Sequence, residues 1–220
     1  IDLNIALAFE LAKLADNLEI DILEVIQAAN SLPKGEYNVN ILLPSLGVGG
    51  YCLTKDPLFL NSFSKSYGSI FKTAVTSREI NDESPIYAAN KIDQALKKQF
   101  KKLESKNIQI GVLGLAFKNN TGDCRYTPTL PAINRLLKLG YKIKTYDKNI
   151  KQEDYEKFHG VERLESIDKV IEDSHALAFF AGHKEFHNIT LQDMEKGLKK
   201  RAIIFDGRMY FSQSKIDAFK

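Results

Sequence analysis

One short stretch concentrates residues able to do covalent chemistry: Gly47-Val48-Gly49-Gly50-Tyr51-Cys52-Leu53-Thr54-Lys55-Asp56. A cysteine thiolate is a strong nucleophile that forms covalent intermediates at carbonyl carbon. The glycines let the backbone approach a ligand closely and adopt torsions closed to other residues. Cys52 is expected just ahead of a helix opening at Asp56-Pro57, where backbone N–H groups favour an anion. Lys55 adds a positive charge, and both features favour the thiolate. Asp56 is suited to orienting a water or relaying a proton. A structural cysteine in a glycine-rich turn is the alternative; in this setting we prefer chemistry.

Three further motifs suit phosphate or sugar recognition. Gly111-Val112-Leu113-Gly114-Leu115-Ala116-Phe117-Lys118 reads as a strand running into a turn, with Lys118 as a point charge. It lacks the third glycine of a dinucleotide fingerprint, and a tight turn with a solvated lysine is the plainer reading. In Asn120 to Pro128, Arg125 stands just ahead of a helix whose expected N-cap is Thr127. A guanidinium there suits a pyrophosphate, and pairing with Asp123 is the alternative. In Ile203-Ile204-Phe205-Asp206-Gly207-Arg208 a strand ends at an arginine able to meet a phosphate or a sugar hydroxyl, or to sit in a turn salt bridge. Cys124 reads as packing. The four histidines make no metal set, and His183 and His187, spaced i, i+4, read as a solvated face. Lys97, Lys98, Lys101 and Lys102 read as a solvated helix end.

The elements that must position these groups fall into two kinds. Ile1 to Asp16 has apolar residues at helical spacing, with Asn17 as the expected left-handed cap. Helices are also expected over 21–30, capped by Asp21, and over about 70–98, kinked or divided at Pro85. The stretch 31–56 reads as a long irregular, hence functional, segment. From about residue 101 strands at 107–113, 141–146, 176–180 and 202–205 alternate with helices at 127–139, 167–172 and 191–198. That alternation implies a parallel, doubly wound sheet. The expected fold class is therefore α/β: an all-α region over 1–100, then a Rossmann-like domain over 101–220. The chain opens on Ile1 inside a helical pattern with no cap before it, so upstream residues are expected.

Composition is that of an ordinary globular chain, with 44% hydrophobic and 27% charged residues. A net charge of +3, with lysines spread along the chain, argues against a nucleic-acid partner. No apolar run approaches the roughly 20 residues of a membrane helix, so no membrane partner is expected. The two cysteines, Cys52 and Cys124, read as free thiols in a reducing, cytoplasmic compartment.

Taken together, the Cys52 loop with Lys55-Asp56, Gly114 to Lys118, Thr121 to Arg125 and Phe205 to Arg208 resemble the UDP-glucose/GDP-mannose dehydrogenase family, in the right order and over nearly the whole chain. The segments Asn4 to Ala8 and Gly47 to Lys55 look most like the branch oxidising UDP-N-acetylmannosamine, with UDP-glucose as the other substrate. The resemblance implies the central helical domain, which makes a homodimer, and a C-terminal UDP-sugar domain. The N-terminal NAD-binding domain and its catalytic groups would precede Ile1, and the chain alone would be inactive. It further implies a double oxidation of the sugar C6 alcohol with NAD as cofactor. Cys52 would be the nucleophile and Asp56 its partner. Leu43, Gly47, Gly49, Phe117, Lys118 and Arg208 would meet the UDP-sugar, and Lys55 and Arg125 the NAD phosphates; no metal is implied. Relatives carry an arginine near positions 36–40 that reaches across the dimer, and none stands in that loop here. The competing class is a non-catalytic nucleotide-binding dimerisation module.

Overall fold

The computed structural model describes residues 1–31 and 40–211, so most of the loop near positions 36–40 lies outside the described residues. Four helices come first: α1 (Asp2–Leu18), α2 (Ile22–Ser31), α3 (Tyr51–Lys65) and α4 (Lys72–Gln99). Asp21 caps α2 as expected, its Oδ1 accepting the Leu23 N–H at 2.8 Å. α1 runs past Asn17, and Glu19 (φ 55°) takes the left-handed position instead, its N–H returning to the Ala15 carbonyl. α4 is continuous through Pro85. α3 corrects the expected boundary: it begins at Tyr51 rather than Asp56, which makes Pro57 an interior residue. A proline there leaves the Leu53 carbonyl without its helical donor. The Arg78 guanidinium stands 3.5 Å from that oxygen and compensates it.

A five-stranded parallel sheet follows, built from β1 (Gln109–Leu113), β2 (Lys142–Tyr146), β3 (Val161–Arg163), β4 (Ala176–Phe179) and β5 (Ile203–Asp206). Its order is β3-β2-β1-β4-β5, with α5 (Thr129–Lys138), α6 (Gln152–Tyr155), α7 (Ile167–Ile171) and α8 (Leu191–Gly197) in the connections. The order reverses between β1 and β4, and ligands of open α/β sheets bind beyond the strand ends at that switch point. β3 was not foreseen: at three residues, Val-Glu-Arg, it carries no apolar alternation to read.

One apolar core joins the two parts. Ala88, Ala89, Ile92 and Leu96 of α4 are buried in the same cluster as Ile110 and Val112 of β1, Ala176 and Ala178 of β4, and Ile133 and Leu136 of α5. Each fully buried Leu or Ile contributes roughly 1.5–3 kcal/mol. α4 thus seats the helices, and the loop ahead of α3, rigidly on the sheet.

Candidate active site

Cys52 lies in the first turn of α3, exposed and unbridged. That turn leaves its N–H groups without intrahelical acceptors. Lys55 and Asp56 are both exposed and follow at i+3 and i+4, so the thiol, the ammonium and the carboxylate share one helix face. Gly50 caps the helix at φ 86°, a torsion that suits glycine.

The glycines before Cys52 are pressed against the α/β domain. A Cβ on Gly49 would overlap Phe117, lying 2.8 Å from its Cγ and 2.9 Å from the Tyr126 carbonyl oxygen. One on Gly50 would lie 2.8 Å from Phe117 Cζ, and one on Gly47 3.0 Å from Pro128 Cβ. The Gly50 N–H donates to the Arg125 carbonyl at 2.9 Å, and Tyr51 packs edge-on against Tyr126. A close backbone approach at this loop is thus made by the protein itself. It joins the Cys52 turn to the segment leaving β1. Leu43 is exposed at the near end of the same loop.

Arg125 takes the alternative left open above. Its Nε and Nη2 donate to the two Asp123 oxygens at 2.8 and 2.5 Å, and its guanidinium lies 5.0 Å from the Tyr51 ring centre. This pairing raises the Arg125 pKa and lowers that of Asp123. Lys55, Arg125, Tyr51, Tyr126 and Arg78 line a cavity of about 640 Å³ beside α3. Arg78 is buried and was not singled out by sequence. Its Nη1 donates to Asp2 at 2.6 Å and its Nη2 to Asp82, tying the start of α1 to α4. A mid-helix arginine gives no signal of such burial. Cys124 is buried on the same cavity's wall, and burial pushes its thiol up to about 12, in keeping with a packing role.

At the sheet edge, Arg208 is half-buried, and its Nε donates to the Phe180 carbonyl at 2.9 Å. Among the described residues no carboxylate pairs with it, and burial lowers its pKa. A desolvated guanidinium without a counter-ion is suited to an anionic ligand. Lys118 is exposed on the loop from β1.

The structure corrects the reading of His183 as solvated. His187 is exposed, but His183 is fully buried, with Nε2 3.0 Å from Asp147 Oδ2 and Nδ1 accepting the Asn120 N–H at 2.8 Å. Both ring nitrogens are satisfied, which makes burial affordable. The i, i+4 spacing could not reveal this, because His183 precedes a short 3-10 turn (Lys184–Asn188) rather than lying on an α-helix.

Two family models match the chain. The central domain of the UDP-glucose/GDP-mannose dehydrogenase family matches residues 1–83, and that family's UDP binding domain matches residues 111–213. A UDP-N-acetyl-D-mannosamine dehydrogenase of Methanocaldococcus jannaschii is 33% identical over 207 residues, covering 93% of this chain and 43% of the relative. The structure of a UDP-D-ManNAc dehydrogenase from Pyrococcus horikoshii superposes with a TM-score of 0.80 at 32% identity, over 96% of this chain and 46% of that one. An NDP-N-acetyl-D-galactosaminuronic acid dehydrogenase from Methanosarcina mazei gives 0.85 at 25% identity, over 99% and 46%. The chain therefore spans less than half the length of each of these relatives.

Proposed function

The chain belongs to the UDP-glucose/GDP-mannose dehydrogenase family, and from that premise we propose that it supplies the thiol and the sugar-nucleotide half of an NAD-dependent UDP-sugar 6-dehydrogenase. The substrate is UDP-N-acetylmannosamine, the molecule named for its relatives at 33% and 32% identity. The observation that carries the reading is the docking of the Cys52 turn, through Gly49 and Gly50, onto Phe117 beside Lys118.

Lys118 and Arg208 hold the diphosphate and sugar, with Phe117 and the backbone at Leu43, Gly47 and Gly49 along the ligand. NAD, when bound, would supply the hydride acceptor at the sugar C6, and the double oxidation consumes two molecules of it, one hydride each. The cationic and aromatic lining of the α3 cavity fits it: Lys55 and the remaining Nη1 of Arg125 meet its phosphates. Once C6 is an aldehyde, the Cys52 sulfur adds to that carbon and the C–S bond of a thiohemiacetal forms. Oxidation of this adduct leaves a thioester. Water attacks its carbonyl, the C–S bond breaks, and the carboxylate and thiolate part. Asp56, one turn from the sulfur, takes the proton from that water.

Two copies pair through the central helices in the cytoplasm. Leu3, Leu7, Leu14 and Leu18, all exposed along α1, support that pairing. On this reading these residues bind UDP-sugar weakly or partially and need an NAD-binding part, with its own catalytic groups, to turn it over. The test is NADH and uronic-acid formation by the protein joined to such a part, across UDP-N-acetylmannosamine, UDP-glucose and GDP-mannose, with Cys52→Ser alongside. Acid formed at the normal rate by Cys52→Ser removes the thiol from the mechanism.

A further inference from the structure

Asp147 directly follows β2, at the edge where a doubly wound dinucleotide domain carries an acidic residue for a ribose. Here the side chain turns inward and is 2% exposed. Its Oδ2 accepts the N–H groups of Leu115 at 2.8 Å and Ala116 at 3.3 Å, and meets His183 Nε2 at 3.0 Å. Its Oδ1 accepts the Asn149 N–H at 3.0 Å. The N–H groups just past a β1 turn are those that hold a phosphate in a dinucleotide fold. In this chain a carboxylate of the protein already neutralises them. The turn is also shut against β4, since a Cβ on Gly114 (φ 86°) would lie 2.8 Å from the Ala181 nitrogen.

The second half of the network starts at His183. With Nε2–H donated to a carboxylate, Nδ1 is left as an acceptor, and the Asn120 N–H fills it at 2.8 Å. Asn120 (φ 56°) accepts the Lys184 N–H on its side-chain oxygen at 2.8 Å, and Asn119 accepts that of Gly182 at 3.0 Å. Ala116 and Asn120 thus bracket Lys118 symmetrically, two residues to either side, and one buried Asp–His pair holds both.

We infer that Asp147 and His183 are positioning residues for Lys118: the carboxylate is an internal anion in the β1 turn, and the imidazole carries that anchor to Asn120. A ligand's phosphates are thereby confined to the outside of the loop, where Lys118 stands. This rests on the reading that Lys118 contacts the sugar nucleotide.

Two variants separate the two bonds. His183→Gln keeps a donor near Nε2 for Asp147 and loses the acceptor for Asn120. His183→Asn keeps an oxygen near Nδ1 for Asn120 and leaves Asp147 without the imidazole. Amide hydrogen exchange at Ala116 and Asn120 is measured beside calorimetric binding of UDP. In His183→Gln we expect Asn120 to exchange at least about tenfold faster and UDP to bind about tenfold more weakly, the scale of one lost hydrogen bond. In His183→Asn, Asn120 keeps its protection. In the Lys118→Ala background, His183→Gln should cost no further UDP affinity, because it acts through that lysine. Unchanged UDP binding beside accelerated Asn120 exchange overturns the positioning role, and so do fully additive losses. An unsubstituted chain that protects Asn120 but binds no UDP overturns the reading of the site, and this inference with it.

Discussion

Gly49→Ala is the sharpest test of how Cys52 is placed. Gly49 lies outside the left-handed region, so its substitution acts through contact alone. The new methyl would stand 2.8 Å from Phe117 Cγ and 2.9 Å from the Tyr126 carbonyl oxygen. Phe117 Cβ is the nearest atom of all, so relaxing to an ordinary separation of about 3.5 Å requires the loop to move out by about 1 Å. Neither neighbour is the free end of a flexible chain: one is the root of an aromatic ring and the other is backbone. Overpacking of this kind costs about 1–3 kcal/mol. At about 2–4 °C per kcal/mol for a chain of this size, thermal unfolding should fall by about 2–12 °C. Cys52 is three residues away, and a displacement approaching 1 Å costs up to about 10²-fold in rate where a nucleophile must meet its carbon. The assay is calorimetric melting, with turnover of the complete enzyme beside it. Phe117→Ala should not rescue the variant, because Phe117 Cβ is itself in the overlap. A Gly49→Ala protein that melts within about 1 °C of the parent and turns over normally refutes the docking of this loop.

The two thiols should separate cleanly. Ellman's reagent at mildly alkaline pH should titrate only Cys52 in the folded chain, nothing in Cys52→Ser, and both thiols after denaturation, since Cys124 is buried and pushed up to about 12; reaction of folded Cys52→Ser refutes this. For Asp147, burial raises the pKa, but the His183 bond and the Leu115 N–H outweigh it, so the net shift is downward. The unfolded state then binds the proton more readily. Asp147 therefore stabilises above its unfolded pKa of about 3.9, and that stabilisation is lost as pH falls through the lower folded value. Asp147→Asn should flatten the acid limb of the stability profile, and an unchanged limb rejects the assignment. Arg208→Met replaces a desolvated charge that has no carboxylate partner among the described residues with an apolar chain of similar length, so thermal stability should hold or rise while UDP affinity falls by at least about tenfold; UDP binding equal to the parent's refutes its ligand role.

The α/β alternation was legible because buried parallel strands are nearly continuous apolar runs, as in Gly111-Val112-Leu113 and Ala176 to Phe179. Asp206-Gly207-Arg208 likewise announced a strand end bearing a charge. Tertiary effects were not legible. α3 starts early, at Tyr51, and the Leu53 carbonyl that Pro57 leaves open faces Arg78, twenty-five residues on, so Pro57 alone misplaced the boundary. Burial of His183 depends on Asp147 and Asn120, each more than thirty residues away. Local periodicity carries no record of such partners. The glycines before Cys52 were read as a point of close approach to a ligand, and the structure shows a close approach there to the protein's own Phe117.

That contact bears on how the site holds together. Phe117 and Lys118 are consecutive: the first carries the Cys52 turn against its ring, and the second bears the charge that meets the sugar nucleotide in our reading. The segment holding both leaves β1 inside a bracket made by Asp147 and His183, with Thr127 pinning its far side through a hydroxyl donated to the Leu115 carbonyl at 2.7 Å. A shift of this segment moves the nucleophile and the phosphate contact together, so their separation is set by two adjacent residues rather than by the relative motion of two domains. In the proposed reaction, chemistry at C6 requires a fixed distance between the sulfur and the diphosphate, and a strand end with its polar groups satisfied from within is a stiff place to store it.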